Sequence, residues 1–239
     1  MKAIILAAGR GSRMKKLTDE RPKCLLELAG KALLDWQLEA LRAAEIDEIS
    51  IVTGYKRECL KGRGLVEFHN ADWEDTNMLS SLATADEWLE SGPCVISYSD
   101  IFYESRAVQL LNSSDQPIAI TYDSNWLELW KKRFGDPLLD AETFRLWSDN
   151  TLAEIGKPPA NLEEIQGQYM GLLRFTPQGW NEVKRIRSAL SVHEKNSMHM
   201  TGVLQKVIEN NRIKIDAVKY DGKWGEVDSE DDLGIYKYD

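Results

Sequence analysis

The 239-residue sequence predicts an α/β domain built on a mixed, mostly parallel sheet flanked by helices. Three observations carry this expectation. Short apolar runs alternate with stretches of helical periodicity over the first half, as βαβ units require. The first run, residues 2–7, reads KAIILA, apolar after its lysine, as suits a strand buried on both faces. No internal repeat, low-complexity linker or clean boundary divides the chain, so a single domain over 1–239 is expected.

Taken in order, residues 2–7 are a strand and 33–44 a helix, with Leu34, Leu38 and Leu41 on one face. Residues 48–53 and 66–69 are strands. Residues 77–89 form the clearest helix, striped by Met78, Leu82, Ala85 and Leu89 and capped by Asn77 or Asp75. A strand at 94–99, a helix at 105–111 and a strand at 117–122 follow. Strands ending at Ala7, Thr53 and Ser99 open into loops on one edge, where ligands bind in parallel sheets. In the second half, 143–147 and 152–155 form a hairpin about Ser148-Asp149-Asn150. Residues 168–175 are a strand with a glycine bulge, 179–190 and 201–209 are helices, and 213–220 is a strand. Ser229 and Asp232 have capping-box spacing for a last helix.

Composition excludes several classes. A formal net charge of -9 disfavours a long nucleic-acid partner. Cys24, Cys59 and Cys94 are odd in number and lack CxxC spacing, which argues against a disulfide framework or zinc site and for a reducing, cytoplasmic compartment. The N-terminal apolar run is short and soon followed by Arg10, Arg13, Lys15 and Lys16, unlike a signal peptide. No apolar run approaches the ~20 residues of a membrane span, so no membrane partner is expected.

The strongest local signal is the run from Leu6 to Met14, Leu-Ala-Ala-Gly-Arg-Gly-Ser-Arg-Met, with Arg21-Pro22-Lys23 downstream. Gly9 and Gly11 permit positive φ and close approach, so successive backbone N–H groups can face phosphate oxygens. Arg13 and Lys23 add charged donors. A phosphate loop of the Gly-Lys-Ser/Thr kind is absent. Met14 stands where a dinucleotide fingerprint needs a third glycine.

This run, with Pro22-Lys23, resembles the signature of the nucleotidyltransferases, a family that includes sugar-1-phosphate nucleotidyltransferases and phosphocholine cytidylyltransferases. The resemblance implies a Rossmann-like fold of the nucleotide-diphospho-sugar transferase type, with 1–122 as the nucleotide-binding half and 123–239 as the acceptor-binding half. It implies that Arg13 and Lys23 are catalytic, stabilising charge as pyrophosphate leaves. Leu6, Ala8, Gly9, Gly11, Ser12, Gly54, Asn77, Ser80 and Ser99 would then border the nucleotide. Asn77-x-x-Ser80 is similar to the choline-type cytidylyltransferases, which favours CTP over another triphosphate.

Such transfer needs its charge neutralised, usually by Mg²⁺ on carboxylates. Asp100 follows a strand at the ligand edge, and Glu226 and Asp228, two apart on an extended segment, share one face. Ser97–Asp100 and Gly225–Asp228 resemble the family's two metal-binding stretches, which makes Asp100 and Asp228, with Glu226, the expected ligands.

Trp126 and Trp130 lie four apart and precede Lys131, Lys132 and Arg133. They fit either a helix packing both rings on the core or an acceptor site with rings for an ammonium group and Arg133 for a carboxylate or phosphate. Gln168 and Tyr169 would add polar contacts. This half resembles cytidylyltransferases for small non-sugar phosphates or phosphonates, with acceptors such as phosphocholine, aminoethylphosphonate and phosphoglutamine. The three cations depart from the phosphocholine pattern and suit phosphoglutamine, which carries a carboxylate. A role in making a capsule or cell-surface polysaccharide precursor follows from the same resemblance. Competing expectations are a sugar-1-phosphate nucleotidyltransferase and a non-catalytic nucleotide-binding module. Oligomeric state stays open, with a homodimer allowed.

Overall fold

A computed structural model describes residues 1–236. Seven strands form the central sheet: Lys2–Ala7, Glu48–Thr53, Val66–His69, Cys94–Tyr98, Ile118–Asp123, Gln168–Phe175 and Ile215–Tyr220. From one edge to the other they lie in the order 215–220, 118–123, 168–175, 94–98, 2–7, 48–53, 66–69. All pairings are parallel except the two made by Gln168–Phe175, which runs antiparallel to both neighbours. That reversal brings the start of the strand to the edge where the parallel strands end, with Gln168 opposite Asp123 and Tyr169 opposite Tyr122. The register shifts between Tyr169 and Leu173, where Gly171 has φ +78°. This is the expected glycine bulge.

The first strand explains why its sequence is continuously apolar. Ala3, Ile5 and Ala7 pack on one face with Leu34, Leu38 and Leu41 of the helix Leu33–Ala43. Ile4 and Leu6 face the other layer, with Leu79, Leu82, Trp180 and Val203. Each fully buried aliphatic side chain contributes roughly 1.5–3 kcal/mol, against 0–1 kcal/mol for a surface ion pair. Two apolar layers therefore fix the sheet.

Several elements differ from expectation. The helix expected over 77–89 is two helices, Met78–Ala83 and Asp86–Ser91. The Thr84 hydroxyl donates to the Ser81 carbonyl at 2.8 Å, a local bond that competes with helix continuation. The apolar stripe carries on across the break through Leu79, Leu82, Ala85 and Leu89. Asn77 does cap the first piece, its Oδ1 accepting from the Met78 N–H at 2.7 Å. A short helix, Val192–Ser197, was not expected, although Ser191 and Glu194 form a capping box at its start. A two-stranded ribbon of Ile101–Tyr103 against Trp224–Glu226 is likewise new. The hairpin about residues 148–150 is present, with Asn150 at φ +62°. Ser229 and Asp232 exchange the reciprocal bonds of a capping box before Asp232–Ile235. Among the described residues, no helix is long and apolar enough to cross a membrane.

Candidate active site

The loop after the first strand is shaped by two glycines with different tasks. Gly11 takes φ +70°, and a Cβ there would lie 2.8 Å from the Lys23 Cδ. Gly54, at the end of the neighbouring strand, lies beneath the loop, where a Cβ would meet the Ala8 carbonyl oxygen and Trp73 at 2.6 Å. The Tyr55 N–H donates to that same carbonyl at 2.9 Å. Gly54→Ala is therefore expected to displace the loop and weaken nucleotide binding about tenfold, equivalent to ~1.4 kcal/mol, read as a higher Kd in calorimetry.

Leu6, Ala8, Gly9, Gly11, Arg13 and Lys23 all line one cavity at the ligand edge. Asn77, Ser99, Asp100 and Asp228 complete its wall with Trp73, Thr76 and Ser81, which sequence reasoning did not single out. The signal for Trp73 was its place in the loop after the short strand Val66–His69, on this same edge. Ser12, Gly54 and Ser80 lie outside the lining. The Ser80 hydroxyl instead donates to the Lys195 carbonyl at 3.1 Å. The Asn77 side chain is engaged within the protein: beyond its cap, Nδ2 donates to the Ser197 carbonyl at 3.2 Å.

Lys23 sits in the turn Lys23–Leu25 and is only 6% exposed. Its ammonium donates to Asp100 Oδ2 at 2.8 Å and also to Asp228 Oδ1. Burial alone would lower its pKa, but the charges of Asp100 and Asp228 outweigh this and the net shift is upward. Arg13 reaches Asp228 Oδ2 at 2.9 Å.

The short ribbon brings the acids together. Glu226 pairs with Ile101, and the Val227 N–H donates to the Asp100 carbonyl at 2.9 Å. Carboxylate oxygens of Asp100, Glu226 and Asp228 lie within 4.8 Å of one another. Burial, followed by the adjacent Asp228 charge, raises the Glu226 carboxyl above its ordinary range, with Arg133 opposing the shift. Asp100 Oδ1 is buried without a hydrogen-bond partner. Crowded carboxylates with an unsatisfied buried oxygen suit a hard divalent cation, which takes oxygen ligands and relieves their repulsion.

The segment carrying Arg133 departs from the acceptor expectation. Trp126 and Trp130 are each 4% exposed, with ring centroids 5.9 Å apart, and both join the core. Trp130 still borders a second cavity, but Trp126 does not. The Arg133 side chain is completely buried, with Nη1 on Glu226 at 2.7 Å and Nε on Asp232 at 3.0 Å. Its fork is spent on the acids behind the site and does not line the second cavity. The physical reason is electrostatic: packed acids at the C-terminal turn need a buried counter-charge, and guanidinium supplies it with several donors.

The second cavity adjoins the first and shares Arg13, Met78, Tyr98 and Asp228 with it. Gln168 and Tyr169 line it, as do Glu142 and His199, which were not anticipated. The Gln168 amide is occupied by the Glu142 backbone, donating to its carbonyl at 2.8 Å and accepting from its N–H at 3.4 Å.

Two joined cavities at the carboxyl edge of an α/β sheet, a glycine loop with two cations, and a carboxylate cluster at the junction define a nucleotidyltransferase. The chain belongs to the family of the MobA-like NTP transferase domain, whose pattern matches residues 3–155. It is 38% identical to the CTP:phosphoglutamine cytidylyltransferase of Campylobacter jejuni, over 98% of each chain. It is 24% identical to a bifunctional sugar-1-phosphate nucleotidylyltransferase/acetyltransferase of Sulfurisphaera tokodaii, of which it spans 52%. The inositol-1-phosphate CTP transferase of T. maritima shares the fold, with a TM-score of 0.78, 19% identity, and coverage of 98% of this chain and 93% of that one.

Proposed function

We propose that this chain transfers CMP from CTP to a small phosphorylated acceptor of the phosphoglutamine kind and releases pyrophosphate. The end-to-end 38% identity to a CTP:phosphoglutamine cytidylyltransferase is the observation that carries this reading. In it, residues 1–122 supply most of the nucleotide side and 123–239 most of the acceptor side. Asp228 crosses to the nucleotide cavity and Arg13 to the acceptor cavity. Free thiols at Cys24, Cys59 and Cys94 suit a reducing, cytoplasmic setting.

The triphosphate lies along the loop 8–13, and the base lies toward Trp73, Thr76 and Ser81. An acceptor phosphate oxygen attacks the α-phosphorus. A new P–O–P bond forms, the bond to the β-phosphate oxygen breaks, and pyrophosphate leaves with the electron pair. Mg²⁺ held by Asp100 and Asp228, with Glu226 beside them, would neutralise phosphate charge. Lys23 and Arg13, released from those carboxylates, turn their donors to the phosphates and hold the leaving group. Pyrophosphate release is to be measured with each of the four ribonucleoside triphosphates across phosphoglutamine, phosphocholine, aminoethylphosphonate and hexose 1-phosphates. CTP with phosphoglutamine is expected to give the highest kcat/KM, and preference for a hexose 1-phosphate would overturn the acceptor assignment.

A further inference from the structure

The second cavity carries charge that the reaction itself does not use. Glu142 lines it and makes no ion pair among the described residues. Its one side-chain bond is a long one, 3.5 Å from the Thr201 hydroxyl. The backbone at Glu142 is held on both sides by the amide of Gln168, itself 5% exposed. The main chain that carries the carboxylate is thus anchored at the cavity wall. Burial raises its pKa, the response of a carboxylate that lacks a cation.

The same wall holds a second carboxylate, Asp140, likewise without an ion pair among the described residues. Asp140 faces the indole of Trp130, and Tyr98 faces the Tyr169 hydroxyl, so these two donors already have oxygens beside them. Two carboxylates without a cation in one cavity describe a site for an ammonium group.

We propose that Glu142 is the residue that selects the acceptor by receiving its ammonium group. The acceptor class is then a phosphorylated amine or amino acid, with its phosphate toward Arg13 at the junction of the two cavities. Gln168 is a positioning residue for Glu142. This assignment rests on the CMP-transfer reading above and gives to Glu142 an acceptor role that the buried Arg133 does not fill.

The test is a cycle of enzyme and substrate changes, with phosphoglutamine and its analogue lacking the α-amino group as acceptors. Glu142→Gln is expected to raise KM for phosphoglutamine 10–100-fold and leave KM for CTP within about twofold, the scale of one charge-assisted bond. Wild type should lose a similar factor on the deamino analogue, and Glu142→Gln should lose nothing further on it. Glu142→Ala, with its fold checked by thermal melting, serves as a second variant and should behave as Glu142→Gln. An unchanged KM for phosphoglutamine, or an equal loss on the deamino analogue, overturns the proposal. Wild type active with CTP only on hexose 1-phosphates, which lack an ammonium group, also overturns it while leaving nucleotidyl transfer intact. Wild type that releases no pyrophosphate from CTP with any acceptor overturns both readings.

Discussion

Asp228→Asn is expected to lower kcat at least ~100-fold, and Asp100→Asn by a similar factor, because a carboxylate-bound metal supplies several kcal/mol to the transition state. Asp228 is the side chain on which the site converges. Lys23 and Arg13 both bond to it, and its oxygens lie in the cluster with Asp100 and Glu226. It also borders both cavities, at the junction where the proposed transfer would take place. An amide keeps the shape but gives up the charge that faces Lys23 and Arg13 and that would hold a metal. Steady-state pyrophosphate release, with Mg²⁺ varied, reads the effect, and near-normal turnover in either variant would remove that residue from the site. The Asp228 backbone N–H is held by Asp232 at 2.8 Å, so the turn itself should survive the substitution.

Arg133→Met should act through stability. The guanidinium is completely buried, bonds Glu226 and Asp232, and lies 4.9 Å from the Phe134 ring. Removing one partner of a buried ion pair costs about 3–5 kcal/mol, because the remaining charges stay buried without compensation. For a chain of this size that is a fall in Tm of roughly 10 °C. Arg133→Lys should recover only part of it, since an ammonium cannot reproduce the fork to two carboxylates. Differential scanning calorimetry gives the answer. A variant with unchanged Tm and only a raised acceptor KM would restore Arg133 to the acceptor site.

These two residues also mark where the sequence was legible. The phosphate side depends on neighbours in the chain: a strand, two glycines, an arginine, and a lysine after proline. Local spacing therefore carried Gly11, Arg13 and Lys23 into one cavity. Asp100 could be placed because it ends a strand at the ligand edge, and Glu226 and Asp228 because alternate residues of an extended segment share a face. The pairing that joins these two stretches was not readable, since three-residue strands carry too little periodicity to signal a ribbon. The acceptor side was harder for a related reason. Trp126, Trp130 and Arg133 sit at helical spacing, and spacing alone cannot say whether a face meets ligand or core. The structure turns both rings into the core and the guanidinium onto acids nearly one hundred residues away, 93 for Glu226. Glu142 had no local signal at all, because its position depends on a clamp from Gln168, 26 residues on, at the start of the antiparallel strand.

The ribbon between Ile101–Tyr103 and Trp224–Glu226 ties the site to the order in which the chain is made. Lys23 and Asp228 are 205 residues apart, and Lys23 and Asp100 are 77 apart. During synthesis the glycine loop, the first strands and Asp100 leave the ribosome long before Glu226 and Asp228 exist. Until then Lys23 has only one of its two carboxylate partners, and the carboxylate cluster cannot close. Loop-closure entropy grows slowly with length, so this late contact costs little stability, but long-range closure slows folding. Residues 224–228 therefore close the site across the sequence: Lys23 gains its second carboxylate partner only when this segment docks beside Asp100.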